Sequence, residues 1–233
     1  MIALLAAAGV ATAAALATPA ATTAPPLAPE AVLARYQTAL AEIVEPRVFT
    51  VEYTLEQTGT RVLDQRHRIF RSGGNERDET LAVNGKGSLT PVVRIFRGRP
   101  YRYAVSRLAP KPAAYDFAYV GPHKAGKHVD YVFRLVPRAP SRAFALTDVT
   151  IDGVTFLPSS IAFATGKNAG TGTVAFTKSG RWWVASGAAA SARVPGGVEH
   201  ERLTFSRWRF PPTLPASTFA LPRPLATPPP VLP

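Results

Sequence analysis

There is no cysteine anywhere in the 233 residues, and only one methionine. That excludes a disulfide framework, a thiolate nucleophile, a thiolate metal centre and an N-terminal lipid attached through cysteine, so stability must come from the core alone. Acidic residues are scarce, with 15 Asp and Glu against 27 Lys and Arg for a formal charge of +12. Histidine occurs only at His67, His123, His128 and His200. No G-x-S-x-G occurs, and no histidine lies near Ser159 and Ser160, which follow a proline in a strand-like run. A serine hydrolase needs a nucleophile on a sharp turn with a base and an orienting acid, and the sequence offers no such grouping. Long apolar runs are also missing. The longest, Ile2 to Ala17, falls short of the about 20 residues a spanning helix needs.

What is present begins with a leader. Residues 1–17 are small, apolar and uncharged, and Ala15-Leu16-Ala17 offers an A-x-A cleavage signal. An Ala/Thr/Pro linker follows over 18–27. This predicts a secretory signal peptide and export to the periplasm or the extracellular space. No Lys or Arg precedes the apolar run, so an uncleaved N-terminal membrane anchor is the alternative. A pI of about 10.6 first suggests nucleic acid, but an exported protein meets little of it. Anionic envelope surfaces fit the charge better.

Residues 28–221 read as a single domain. Leu33, Tyr36, Leu40 and Ile43 fall at helical spacing, with Pro29 in the first turn and Pro46 as the stop. Afterwards the pattern has period two. Phe49, Val51, Tyr53 and Leu55 alternate with Thr50, Glu52, Thr54 and Glu56. Ser72-Gly73-Gly74-Asn75 then predicts a tight turn setting Arg71 against Glu76 and Arg68 against Glu79. Further strands are predicted over 91–98, 101–108, 128–137, 172–185 and 199–210, with a short helix possible over 111–120. A Ser179-Gly180 turn would place Phe176 opposite Trp183. About ten strands after one helix predict a mainly β, α+β fold: a strongly curved antiparallel sheet forming an unclosed barrel around the N-terminal helix. Neighbours in sequence should be neighbours in the sheet. The proline-rich end should pack as an extended segment to about Phe219 or Leu221, leaving a disordered tail over 222–233.

Three local motifs compete with bland readings. Gly121 to His128 mimics a phosphate-binding loop, but the last position is His128 and the next residues alternate like a strand, so a flexible basic loop is the better reading. His123 and His128 lie five apart in that loop, and residues 121–128 contain no carboxylate or cysteine, so neither metal nor cofactor is expected. Arginines interleaved with aromatics over 94–103 and 202–210 suit ordinary in–out alternation better than nucleic-acid stacking. The aspartates of DVTIDGVTFLPSSIAF, Asp148 and Asp152, resemble an acid pair. A two-residue Asp152-Gly153 hairpin turn would instead pair Ile151 with Val154 and Val149 with Phe156. Asp148 would then lie roughly 13 Å from a solvent-facing Asp152. Pro158 would bend the wall beyond.

The helix from Tyr36 to Ile43, the run Tyr131-Val132-Phe133-Arg134-Leu135-Val136-Pro137, Asp152-Gly153 before Leu157-Pro158, and Leu214-Pro215 before Phe219 resemble the LolA/LolB-like superfamily of envelope proteins. The resemblance spans most of residues 28–221. It implies an unclosed barrel wrapped around helices whose concave apolar face holds acyl chains, and lack of cysteine matches its soluble carriers. The extra helices that plug such barrels, and the arginine that ties the carrier lid, are not assignable here. The expected function is an exported, non-enzymatic lipid or lipoprotein carrier. It would be a monomer, with acyl chains or lipoproteins as partners and no nucleic acid. Its lining candidates are Phe49, Val51, Tyr53, Val149, Ile151, Val154, Phe156, Phe176 and Trp183. The alternative is an envelope interaction or sensor module with a filled core and a basic docking face.

Overall fold

The computed structural model describes residues 27–221, apart from 127, 140–142 and 167–168. The expected leader, nearly all of the linker and the tail lie outside the described residues. Eleven strands form one antiparallel sheet: β1 (Val48–Thr58), β2 (Leu63–Ser72), β3 (Asn75–Val83), β4 (Lys86–Phe96), β5 (Tyr115–Ala125), β6 (His128–Pro137), β7 (Ala145–Ile151), β8 (Pro158–Thr165), β9 (Gly170–Ser179), β10 (Trp182–Val194) and β11 (Gly197–Arg209). Their order is β4-β3-β2-β1-β11-β10-β9-β8-β7-β6-β5. Neighbours in sequence are neighbours in the sheet except for β4 and β5, which the crossover sends to opposite edges, and at the centre β1 pairs with the distant β11. β4 and β5 remain as free edges, so the barrel is unclosed.

Curvature comes from irregularities in the ladders. Register shifts interrupt β1–β11, β9–β10, β2–β3, β3–β4, β5–β6 and β7–β8. All but the β3–β4 shift leave one extra residue on one strand, which bends that strand and raises its twist, while at β3–β4 the pairing skips residues 88–91 of β4 against a single residue of β3. At the β1–β11 bulge Arg207 takes a left-handed backbone with φ 53°.

Helix α1 (Pro29–Glu42) starts with proline at the first position, where a missing N–H costs nothing, and buries Val32 and Tyr36. It ends at Glu42, ahead of Pro46, because Ile43 is already extended. Leu33, Leu40 and Ile43 complete its apolar stripe against the concave face. The Tyr36 hydroxyl donates to the carbonyl of Pro110 at 2.7 Å, tying α1 to the β4–β5 crossover.

That crossover corrects two expectations. Residues 101–108 form no strand: the segment is irregular up to the single-turn helix α2 (Val105–Leu108). Pro100 and Pro110 bracket the segment, and Tyr101, Tyr103 and Val105 pack into the core rather than pair. Residues 111–120 contribute no helix, since they turn into β5. The basic loop expected around Gly121–His128 is likewise a β5–β6 hairpin, with Ala125 paired to His128.

Local pairings came out variably. Arg71 faces Glu76 and Arg68 faces Glu79 as expected. The β9–β10 turn, however, is Gly180-Arg181, with φ 60° at Gly180, and it pairs Ser179 with Trp182. Phe176 therefore faces Ala185, and Trp183 faces Lys178. Phe219 is buried at the end of a short 3-10 turn (Ala216–Phe219).

The Asp152-Gly153 turn is corrected too. Ile151 pairs with Pro158 and Val149 with Ile161, so residues 152–157 are a loop. The Asp152 N–H donates to the Leu157 carbonyl, and Phe156 N–H donates to the Asp152 carbonyl. The Asp152 carboxylate accepts from the amides of Val154 and Thr155, and these local bonds outcompete the two-residue turn. Val154 is 66% exposed and leaves the face it was expected to share.

Candidate functional site

The concave face divides into two parts. Across β6 to β9 and β11 it is apolar, with Phe133, Val149, Ile161, Val174 and Phe205 buried. Across β2 to β3 it is polar, because the concave row next to Phe49, Val51 and Tyr53 carries Arg71, Ile69 and His67. His67 Nδ1 lies 2.9 Å from Asp78 Oδ1, and its other nitrogen lies 3.1 Å from Gln65 Oε1. Tyr53 stacks on the imidazole and donates to Asp78 Oδ2 at 3.2 Å. Burial, and then the Asp78 carboxylate, push the Tyr53 phenol far above its usual range. Arg71 pairs with Glu76 at 2.8 Å, both buried. Tyr101 packs on Phe49 with its hydroxyl buried and unpartnered among the described residues.

Among the nine expected lining positions, Phe49, Val51, Val149, Ile151 and Phe176 are buried beneath α1 and the crossover, and Tyr53, Phe156 and Trp183 pack against that core. Val154 lies apart on the loop. The middle of the concavity is thus filled by the chain's own side chains. Space opens at its end, where a cavity of about 500 Å³ lies between the last turn of α1, the β7–β8 loop and the β9–β10 hairpin. Its walls include Ile43, Val44, Leu157, Trp182 and Trp183. Val44, Arg181 and Trp182 are shared with a second cavity of about 430 Å³ that continues to Phe210 and Pro211. Together they make one aromatic groove. Trp183 is fixed by an indole N–H donated to the Pro158 carbonyl at 2.8 Å, while Arg181 lies 4.4 Å over the Trp182 ring. Val44 is 69% exposed on its rim.

The convex face carries two further troughs. One, of about 710 Å³, is floored by Ala162, Ala164, Thr171, Thr173, Ala189 and Ser191 and walled by Glu56, His200 and Arg202. The other, about 670 Å³, lies over the β1–β11 bulge, where Glu52 accepts from Arg68 and Arg207. Against its burial, those guanidiniums hold the Glu52 carboxyl below the usual range.

Asp148 and Asp152 do not converge: Asp148 faces Arg134 at 3.8 Å. Asp152 instead meets Asp130 and His128, a grouping absent from the sequence reading. Ser159 and Ser160 point to Asp130 and Thr150 rather than to a histidine. Among the described residues no helix is long and apolar enough to cross a membrane.

No family model matches the sequence. No curated protein matches it either. Solved structures do. The chain is similar to a LolA superfamily protein from Nitrosomonas europaea, at 13% identity and TM-score 0.43, over 84% of this chain and 99% of that one. It is similar to a putative outer membrane lipoprotein-sorting protein domain from Vibrio parahaemolyticus, at 17% identity and TM-score 0.45, over 82% and 96%. A DUF1329 family protein from Desulfovibrio piger ATCC 29098 is similar at 12% identity and TM-score 0.44, over 81% and 97%.

Proposed function

We propose that the protein is a non-enzymatic, exported half-barrel that binds an acyl chain of a lipid or lipoprotein in the bacterial envelope. One observation carries this reading: a solvent-open aromatic groove at the end of an apolar concave face, with α1 as its cover. Its volume lies in the range of ligand sites, and Ile43, Val44, Leu157, Trp182 and Trp183 offer a hydrocarbon chain an apolar strip beside the polar Glu42, Thr155 and Arg181. The chain would enter between Val44 and Trp182 and run past Trp183 toward Phe176 and Ile151 as α1 lifts. At the groove Arg47 and Arg181 lie beside Glu42 and Glu45, and the two arginines would meet anionic headgroups.

Mass spectrometry of the natively exported full chain should recover acyl lipids, and Trp183→Arg should deplete them at least tenfold. Absence of lipid from the wild-type protein overturns the reading. The filled middle of the concavity favours a second reading, an envelope interaction or sensor module. Lipid-free protein that captures an envelope partner through Arg207 and Arg209 would establish it.

A further inference from the structure

His128 opens β6, and Asp130 follows two residues later on the same side of the strand. The β6–β7 register sets Tyr131 opposite Ile151, so Asp130 lies next to Asp152, the first residue beyond β7. Asp152 thus meets Asp130, 22 residues earlier, and His128, 24 residues earlier, on the side of the sheet away from the core.

Each carboxylate has one oxygen occupied by the fold. Asp152 Oδ1 accepts from the amides of Val154 at 3.1 Å and Thr155 at 2.6 Å, and from the Thr155 hydroxyl at 2.7 Å. Asp130 Oδ2 accepts from the Ser159 hydroxyl at 3.0 Å. The remaining oxygens converge: Asp130 Oδ1 and Asp152 Oδ2 lie 3.2 and 3.3 Å from His128 Nε2. Asp130 Oδ1 also takes a long bond from the Gly153 amide, at 3.3 Å. The turn and Ser159 thus orient the two carboxylates, as hydrogen bonds behind metal ligands commonly do.

Spacing and charge both point to a cation. Metal–ligand bonds of about 2.1 Å place neighbouring donors roughly 3.0–3.4 Å apart, and both nitrogen–oxygen distances fall in that interval. Asp130 and Asp152 are only 5% and 8% exposed. Among the described residues their ion pairs are with His128 alone. Two buried negative charges facing one imidazole are undercompensated, and buried charges persist when paired or bound to metal.

We propose that His128, Asp130 and Asp152 form a binding site for a divalent transition-metal cation of the zinc class, with its remaining positions open to water. One imidazole nitrogen and two carboxylate oxygens suit zinc, whereas the imidazole disfavours magnesium and calcium, which take oxygen ligands. The site would pin the β7–β8 loop, whose Thr155 and Leu157 wall the aromatic groove, to the β5–β6 hairpin.

The test is calorimetric titration of the chelator-treated full chain with zinc chloride, and with magnesium chloride in parallel. One zinc per chain and no comparable magnesium binding is the expected result. Asp152→Asn keeps Oδ1 for the turn and alters only the oxygen facing the imidazole, so it should weaken zinc at least tenfold with the fold intact by circular dichroism. His128→Gln, at a partly exposed position, should do the same and covers the case in which the Asp152 variant is destabilised. Failure of the wild type to bind zinc overturns the proposal. So does zinc binding that is undiminished in His128→Gln, which would mark an adventitious ion held by other histidines.

Discussion

Replacing Tyr36 by phenylalanine tests whether α1 is a latched cover. The ring is wholly buried, 5.9 Å from Phe117, and its hydroxyl makes a 2.7 Å bond to the Pro110 carbonyl. Phenylalanine keeps the packing and removes only the donor, leaving a buried carbonyl unsatisfied at about 1–3 kcal/mol. With a urea slope of roughly 2 kcal/mol per molar, the unfolding midpoint should fall by about 0.5–1.5 M. Tyr36→Ala also opens a cavity and should cost about 3–5 kcal/mol. Amide exchange adds the functional readout: in Tyr36→Phe the amides of α1 should exchange faster than those of β7 to β9, because the bond anchors the helix and not the sheet. A Tyr36→Phe midpoint equal to wild type, or uniform acceleration across helix and sheet, would refute the latch.

Two further outcomes follow from burial. Burial pushes the phenols of Tyr36 and Tyr101 far above their usual value, so both stay neutral when folded while an unfolded chain ionises them near pH 10. The unfolded state then holds fewer protons, and stability, complete below pH 10, should fall above it by up to about 1.4 kcal/mol per pH unit for each phenol; urea midpoints across pH 8–11.5 that stay flat would contradict this. Gly153→Ala should destabilise by about 1–3 kcal/mol, because the new methyl would overlap the Val129 carbonyl oxygen, a backbone atom that cannot swing aside; a melt unchanged from wild type would show that the β7–β8 loop shifts freely.

Much of the fold was legible because strands that alternate with period two are local signals, and hairpins such as β2–β3 fix their own register. The charge match of Arg71 with Glu76 was readable for the same reason. The misreadings fell where a distant partner decided the outcome. Tyr101, Tyr103 and Val105 alternate like a strand, yet the core takes their side chains and the segment leaves the edges of β4 and β5 unpaired. The Asp152-Gly153 signal for a tight turn is real, but the Asp152 carboxylate offers the loop amides a competing acceptor. The pairing of β1 with β11, and with it the half-barrel's seam, joins chain ends that no short-range pattern links. The cluster of His128, Asp130 and Asp152 was hidden likewise: the spacing of His128 and Asp130 was a visible hint, but the third member arrives only through the β6–β7 register.

The division of the concave face carries a last consequence. Under the proposed function an acyl chain would reach Phe133, Val149 and Ile161 only with α1 displaced, and beside Arg71 and Glu76 it would strip partners from charges. The polar rows on β2 and β3 would therefore confine a bound hydrocarbon to the β6–β9 side, where α1 and the groove lie. Such a boundary costs stability when half broken. Glu76→Gln leaves the Arg71 guanidinium, whose other bond goes to the Arg99 carbonyl, without its buried counter-charge, a loss of about 3–5 kcal/mol. Arg71→Met with Glu76→Leu removes both charges and should recover most of that loss, since buried pairs replaced by apolar residues are commonly neutral or stabilising. Urea unfolding of the single and double variants checks the energetics. A double variant as unstable as Glu76→Gln would refute the charge argument, because packing and not electrostatics would then hold these rows together. If the double variant is stable, its widened apolar face should also bind more hydrocarbon probe than the wild type.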